Sequence, residues 1–329
     1  MQEETLSIAL RLLRQAGVQI SGGNLKDLSL TLPDGSTRVV NVKVASIPPT
    51  PSMTAGYLER QEGREHYLVI THRPSRHVTA AAARDALDMI AVEPPSVMIG
   101  GRELLLGGTE PAAPKPTPSQ GKPAWGRYAL LRSLLLSTEP QIQRVLAHEA
   151  GISQPAVTKN LKLFDTWVAK NESGWFARDK TQLLDYLLKL YPGPRGATSY
   201  WYSLRSLDEQ LREAIQYAEE MGAKPLVSGD VAADIYAPWR LPDRATIYLR
   251  EFVDFNDAGF SPASRDEATL IAVTPEDLTL WLTASVAEHE GLPLADPLLT
   301  LWDLTQNEAP DAPDAVKHLR DAILSGAAH

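Results

Sequence analysis

The sequence predicts a multidomain α/β protein, and three observations carry that prediction. Strand and helix patterns alternate on both sides of a central, mainly helical stretch. Residues 109–123 hold five prolines in fifteen positions with no apolar period, the composition of an extended, semi-rigid linker. Residues 141–164 (QIQRVLAHEAGISQPAVTKNLKLF) carry two short helical periods separated by one glycine. A chain of 329 residues has room for two or three cores. The expected division is 1–108, linker 109–123, 124–194 and 195–329.

The central stretch is the most informative. Its first helix offers Ile142, Val145, Leu146 and Ala150 to a core at three-to-four-residue spacing. Gly151 stands where a left-handed residue ends a helix, a conformation that lacks its usual penalty when there is no Cβ. Ile152 is expected to be buried in the turn. Ser153 is placed to N-cap the second helix, whose first turn tolerates Pro155. Val157, Leu161 and Phe164 then form an apolar stripe. The opposite face carries Gln154, Thr158, Lys159 and Lys162. Amides and hydroxyls suit base edges in a major groove, and ammoniums suit phosphates. Upstream, residues 128–136 form an apolar helix that can pack behind the pair. Downstream, residues 167–170 and 174–178 read as two short strands around a turn.

This order, with Ala147, Gly151, Ile152, Ser153, Gln154, Pro155, Ala156 and Val157 as its core pattern, resembles the winged helix-turn-helix modules of MarR-like bacterial regulators over residues 125–180. The resemblance implies double-stranded DNA as the partner. Gln154, Thr158, Lys159 and Lys162 would face the groove, with Ser153 and the wing residues Lys170, Asn171 and Ser173 on the backbone. A homodimer would read a pseudo-palindromic operator with half-sites about one helical turn apart.

Charge supports that placement. The net charge is −9, but it is unevenly divided. Residues 122–180 carry nine basic and five acidic side chains, whereas residues 195–329 carry ten and 23. The positive segment is the one that phosphate contact would need. A hydrophobic content of 43% with 22% charged residues is that of an ordinary globular protein. The absence of cysteine excludes disulfides and thiol chemistry. None of the seven histidines has metal-ligand spacing, so no cofactor or metal is expected. No apolar run is long enough for a membrane span and the start lacks a basic signal-peptide region, so a cytoplasmic location with no membrane partner is expected.

Before the linker, residues 2–16 form an amphipathic helix, and residues 25–32 and 37–44 form a hairpin about Pro33-Asp34-Gly35. Residues 45–55 read as a loop, 65–71 as a strand, 79–90 as a helix and 96–106 as short strands. The order resembles the restriction-endonuclease-like fold. There an acid on the first hairpin strand and an acidic-x-Lys pair on the second hold a metal. Asp27 matches the first acid, but the pair reads Asn41-Val42-Lys43. An amide binds a hard cation poorly, so the resemblance implies a nuclease-like domain without cleavage activity.

After the module, residues 181–191 form an apolar helix suited to extend it or to serve a dimer interface. Pro192-Gly193-Pro194-Arg195-Gly196 ends that helix. Tyr200, Trp201 and Tyr202 are read as packing rather than as a base-stacking platform. Residues 207–221, 293–304 and 312–324 read as helices, and 225–227, 245–250 and 269–273 as strands. Asp230 and Asp234 are read as an N-cap and a surface acid. The segments SQPAVTKNLK (153–162), YPGPRG (191–196) and SGDVAADIYAPWRLP (228–242) resemble AbiEi-type antitoxins of abortive-infection systems, and 228–248 more distantly the nucleotidyltransferase core. The nucleotidyltransferase-like strand has Thr246-Ile247-Tyr248 where two-metal chemistry needs carboxylates. No catalytic residue is therefore expected.

The function these features imply is a sequence-specific DNA-binding regulator, a repressor, and by resemblance the antitoxin of a toxin partner. The alternative is a metal-dependent nuclease or nucleotidyltransferase targeted by the winged helix.

Overall fold

The computed structural model describes residues 2–60, 66–106, 123–286, 291–307 and 309–328. Apart from Pro123, the expected linker at 109–123 lies outside the described residues. Among them the chain is mixed α/β, with twelve α-helices, two seven-stranded sheets and one two-stranded sheet.

The first sheet runs in sequence order. α1 (Gln2–Gln15) precedes an antiparallel meander of β1 (Gln19–Gly23), β2 (Asp27–Thr31) and β3 (Thr37–Ala45). Parallel neighbours need crossovers, and two helices supply them. α2 (Pro51–Glu59) leads to β4 (His66–Thr71), and α3 (Arg76–Ala82) leads to β5 (Asp88–Ala91), so β3, β4 and β5 run parallel. β6 (Ser96–Ile99) and β7 (Arg102–Leu106) return antiparallel. The sheet is covered on both faces. Leu68, Ile70 and Ile90 pack with Leu6, Leu10 and Leu13 of α1, while Val69 and Met89 pack with Val78, Ala81 and Ala82 of α3.

Two expectations are corrected here. Residues 79–90 are not one helix. Capped by Ser75, α3 starts three residues before the expected start, Asp85 takes a positive φ of 56°, and the chain re-enters the sheet as β5. A strand buried on both faces reads as a continuous apolar run, which periodicity alone does not separate from a buried helix. Residues 51–55 are not loop but the start of α2, where Thr50 accepts the Met53 amide and Pro51 takes the first turn.

The second segment holds α4 (Trp125–Leu136), α5 (Gln143–Glu149), α6 (Gln154–Leu163), the hairpin β8 (Val168–Lys170) and β9 (Trp175–Ala177), and α7 (Lys180–Leu190). α4 is its hub. Ala129, Leu130, Leu131, Leu134 and Leu135 are buried, and the helix packs on α5, α6, α7 and β9. Leu183, Leu184 and Leu187 of α7 enter the same core, so α7 extends this unit.

The third segment begins with β10 (Ala197–Tyr202), a strand not foreseen from its aromatic cluster. Its alternation is visible in the side chains: Trp201 is fully buried and Tyr202 is 39% exposed. α8 (Leu207–Glu220) follows behind a Ser206/Glu209 capping box. Then come β11 (Leu226–Ser228), α9 (Gly229–Tyr236), β12 (Ala245–Tyr248), β13 (Ser261–Pro262), β14 (Leu270–Thr274), α10 (Leu280–Thr283), β15 (Ser285–Val286) and β16 (Pro293–Leu294). α11 (Pro297–Thr305) and α12 (Ala312–Ser325) close the chain. The strand order is β13-β10-β14-β12-β11-β16-β15. The expected helix at 293–304 starts late because residues 293 and 294 pair with β11 and β15. Asp296 then caps α11 through the Leu298 and Leu299 amides.

Apolar packing and polar contacts join these parts. α1 packs on β10, where the Thr198 amide donates to Ser7 Oγ at 3.0 Å and the Arg14 guanidinium lies 4.4 Å from the Trp201 ring centre. A buried charge cluster joins the helical segment to the third. Arg132 of α4 places Nε 3.1 Å from Asp296 and Nη1 3.5 Å from Asp277, and its Nη2 donates to Thr279. Tyr191, directly after α7, donates to Asp277 at 2.9 Å. Truncating one partner strands the other charges without water, which costs about 3–5 kcal/mol. Arg132→Met is expected to lose stability of that order in urea unfolding followed by tryptophan fluorescence. A loss below about 1 kcal/mol, the scale of an exposed pair, would show that the cluster does not hold the two segments.

Candidate functional site

The turn between α5 and α6 is built as local chemistry requires. Gly151 has φ +62°, and a Cβ there would meet Leu282 at 2.7 Å. Ser153 is the N-cap of α6, accepting the Ala156 amide at 3.4 Å, with Pro155 in the first turn. Val157 and Leu161 are buried with Phe164. This orientation leaves Ser153, Gln154, Thr158, Lys159 and Lys162 exposed on one outer face. Neither lysine makes an ion pair among the described residues, so both ammoniums are available to an external anion.

Two details differ from the expected packing. Ile142 is 53% exposed, because it is the N-cap residue of α5 rather than part of its inner stripe. Ile152 is half-buried, packed at the edge of the core.

The α6 face has a support that the sequence did not announce. Gln143 of α5 donates its amide to Thr158 Oγ1 and, at 3.2 Å, to the Gln154 carbonyl. Thr158 in turn donates to that same carbonyl at 3.1 Å. Gln143 therefore fixes the Thr158 rotamer and ties the two helices. Behind them, Arg127 Nε donates to Asn160 Oδ1 at 3.1 Å.

Lys170, Asn171 and Ser173 are exposed at the tip of the β8–β9 hairpin. Asn171 has a structural duty there. Its Oδ1 accepts the Ser173 and Gly174 amides, both at 2.9 Å, forming the side-chain-closed turn that shapes the tip. Lys170 Nζ lies 6.0 Å from the Trp175 ring centre. The expected contact residues thus fall into two groups, five on α6 and three on the hairpin.

Of the nine cations in residues 122–180, Arg132 is withdrawn from any surface role by the buried cluster.

The structure also brings Asp27, Asn41 and Lys43 together. Asp27 and Asn41 are register partners across β2 and β3, and Asn41 Nδ2 donates to Asp27 Oδ1 at 2.7 Å. Lys43 lies two residues along β3, its Nζ 5.1 Å from the Tyr67 ring centre. A side chain that donates to the carboxylate competes with a metal for the same oxygen. Among the described residues no group of three or more His, Cys, Asp or Glu is placed to hold a metal ion.

In the third segment, Asp230 is neither an N-cap nor a surface acid. It is 8% exposed, accepts from Arg240 at 2.8 Å and from Asn307 at 3.2 Å, and belongs to a salt-bridged corner. Ser228 does not cap α9 through its side chain. Its hydroxyl donates instead to Asp303 Oδ2 at 2.5 Å, while Tyr248 donates to Oδ1 at 2.7 Å. Asp303 lies on α11, 75 residues from Ser228, and no local pattern marks it.

No protein-family model matches the chain, and no curated protein or solved structure matches it. Among the described residues no helix is long and apolar enough to cross a membrane.

Two outcomes follow from this geometry. Burial raises the Asp303 carboxyl to about 7, against the lowering effect of the Ser228 and Tyr248 hydrogen bonds; Asp296 and Asp230 add to the rise. The folded state therefore holds a proton that the unfolded chain has released, and stability falls as pH rises from the ordinary carboxyl range through about 7. Scanning calorimetry between pH 5 and pH 8 should show a falling Tm, and Asp303→Asn should flatten that fall; an unchanged slope refutes the assignment. At the other site, Asn41→Asp places two carboxylates face to face across the strands. It should cost up to about 1 kcal/mol at pH 7, recovered when the pH is lowered to protonate the pair, as read by thermal melts at both pH values.

Proposed function

We propose that this protein is a sequence-specific DNA-binding transcriptional regulator, a repressor, whose α4–α7 segment acts as a winged helix-turn-helix. The observation that carries the reading is the outer face of α6. Gln154, Thr158, Lys159 and Lys162 share it, Ser153 caps its leading end, and the apolar residues of the helix turn inward. A helix laid in a major groove needs that division: base-reading amides and hydroxyls near the start, phosphate-binding ammoniums further along. Thr158 enters the groove held by Gln143, so its position is fixed before DNA arrives. Ser153 and the hairpin tip at Lys170 and Ser173 supply backbone contacts. In this reading the Asn171 carboxamide oxygen holds the tip and leaves only its NH2 for phosphate.

The acidic third segment limits non-specific attraction to nucleic acid. It is also the surface on which a basic protein partner, such as a toxin, would dock. The Asp27–Asn41 hydrogen bond weighs against the nuclease alternative, because it engages the one acid of that site.

Binding to the region upstream of its own gene, measured by fluorescence anisotropy against shuffled competitor, tests the proposal. Each of Lys159→Ala and Lys162→Ala should lower the slope of log K against log salt by about 0.9. Gln154→Ala should cut discrimination between operator and shuffled DNA by about 1–3 kcal/mol without changing that slope. Equal affinity for operator and shuffled DNA, or salt slopes untouched by both lysine variants, would refute it.

A further inference from the structure

A cleft of about 570 Å³ lies over the open face of the second seven-stranded sheet. Its floor is made by alternate residues of three neighbouring strands: Thr198 and Tyr200 of β10, Ile271 and Val273 of β14, Thr246 and Tyr248 of β12. The intervening residues Trp201, Ala272 and Ile247 point to the buried core. One wall is the 192–196 strap, the other the start of α9 and the end of α11. The volume falls in the range of small-molecule sites.

The charges lining this cleft are not symmetric in availability. Asp230 is engaged by Arg240 and Asn307, and Asp303 by the hydroxyls of Ser228 and Tyr248. Asp243 and Asp266 stand exposed at the rim. Two guanidiniums line the end of the cleft where β12 and β14 begin side by side: Arg244 from the approach to β12 and Arg265 from the loop before β14; Arg195 of the strap stands at the opposite end, beside Glu276. Arg265 makes no ion pair among the described residues, and Arg244 has only the exposed Asp243 at 3.5 Å. The amino end of α9 opens on the same space without a side-chain cap, since the Ser228 hydroxyl is turned to Asp303. Gly229 keeps that entrance narrow in bulk: a Cβ would meet Thr246 Oγ1 at 3.0 Å. Guanidiniums are the side chains best matched to phosphate oxygens, and first-turn amides of a helix add fixed donors. At the other side Trp302 presents an aromatic surface, and Gln306 a side-chain amide.

We propose that this cleft binds a nucleotide-sized organic phosphate, with the phosphate held by Arg244 and Arg265 against the start of α9 and the organic part against Trp302. The site stands independently of the DNA-binding reading, since it shares no residue with the α6 face or the hairpin.

Isothermal titration of the full chain with AMP, pyrophosphate and adenosine tests it. AMP and pyrophosphate are expected to bind saturably at one site, and adenosine at least tenfold more weakly than AMP. Arg244→Ala and Arg265→Ala should each weaken AMP about tenfold, with melting curves confirming that both variants fold, while Arg84→Ala, exposed in the turn between α3 and β5, changes nothing. Lys159→Ala/Lys162→Ala should leave AMP binding intact. The proposal is overturned if neither phosphate probe saturates at millimolar concentration, if AMP binding survives the double Arg244→Ala/Arg265→Ala variant, or if the lysine pair abolishes it.

Discussion

The buried Arg132 is the constraint on which the arrangement of the last two segments depends. A guanidinium in a core is costly to desolvate, and acids and hydroxyls placed around it offset that cost. Asp296 and Asp277 supply the acids, and Thr279 and Thr283 supply the hydroxyls. Each acid has its own second duty. Asp296 caps α11 by accepting two backbone amides, and Asp277 accepts from Tyr191 and from the Thr279 amide. The partners of Arg132 are committed to element ends: Tyr191 closes α7, Thr279 precedes α10 and Asp296 caps α11. The cluster thereby fixes α4, the hub of the helical segment, to α10 and α11 of the sheet segment. Area burial alone would permit sliding; directional bonds to a buried cation do not.

A second consequence concerns the strap at residues 192–196. Tyr191 donates into the cluster, and two residues later Gly193 passes so close to Trp302 that a Cβ would meet its ring at 2.5 Å. The Pro194 carbonyl then accepts the Glu276 and Asp277 amides. The strap is thus pinned on both sides by the residues that hold Arg132. Its prolines remove donors that would otherwise need partners along a wall facing the cleft. The same interactions that join the helical segment to the sheet also shape the wall of the cavity.

Legibility from the sequence followed the range of the interactions. Short-range chemistry was readable: the Gly151 turn, the Ser153 cap, the apolar stripe of α6 and the Pro33-Asp34-Gly35 hairpin all depend on residues within one or two turns. The Asp27, Asn41 and Lys43 juxtaposition was also readable, since a hairpin converts sequence spacing into register. The failures lie where long-range context decides. β5 reads as helix because burial on both faces erases period two. β10 hides behind three consecutive aromatics until Trp201 and Tyr202 are seen on opposite faces. Asp230 looks like a cap until Arg240 and Asn307 arrive, and Asp303 has no local mark at all. The cleft was illegible for the same reason: Arg244 and Arg265 come from separate loops that only the pairing of β12 with β14 brings to one end of the sheet.

The face of α6 bears on what kind of surface it is. A helix used to dock protein exposes aromatic or branched apolar anchors at its centre, because desolvated hydrophobic contact carries most of that affinity. Leu163 is the one large apolar side chain of α6 that stands exposed, at 50%, and it lies at the last position of the helix, beyond the Gln154–Lys162 face. The centre of the face is instead an amide, a hydroxyl and two unpaired ammoniums. Such groups lose hydration on binding and regain it only from a partner rich in acceptors. Base edges and phosphates provide acceptors at high density along a regular track. Among the described residues neither Lys159 nor Lys162 has an acid partner, which is the electrostatic condition an external polyanion requires.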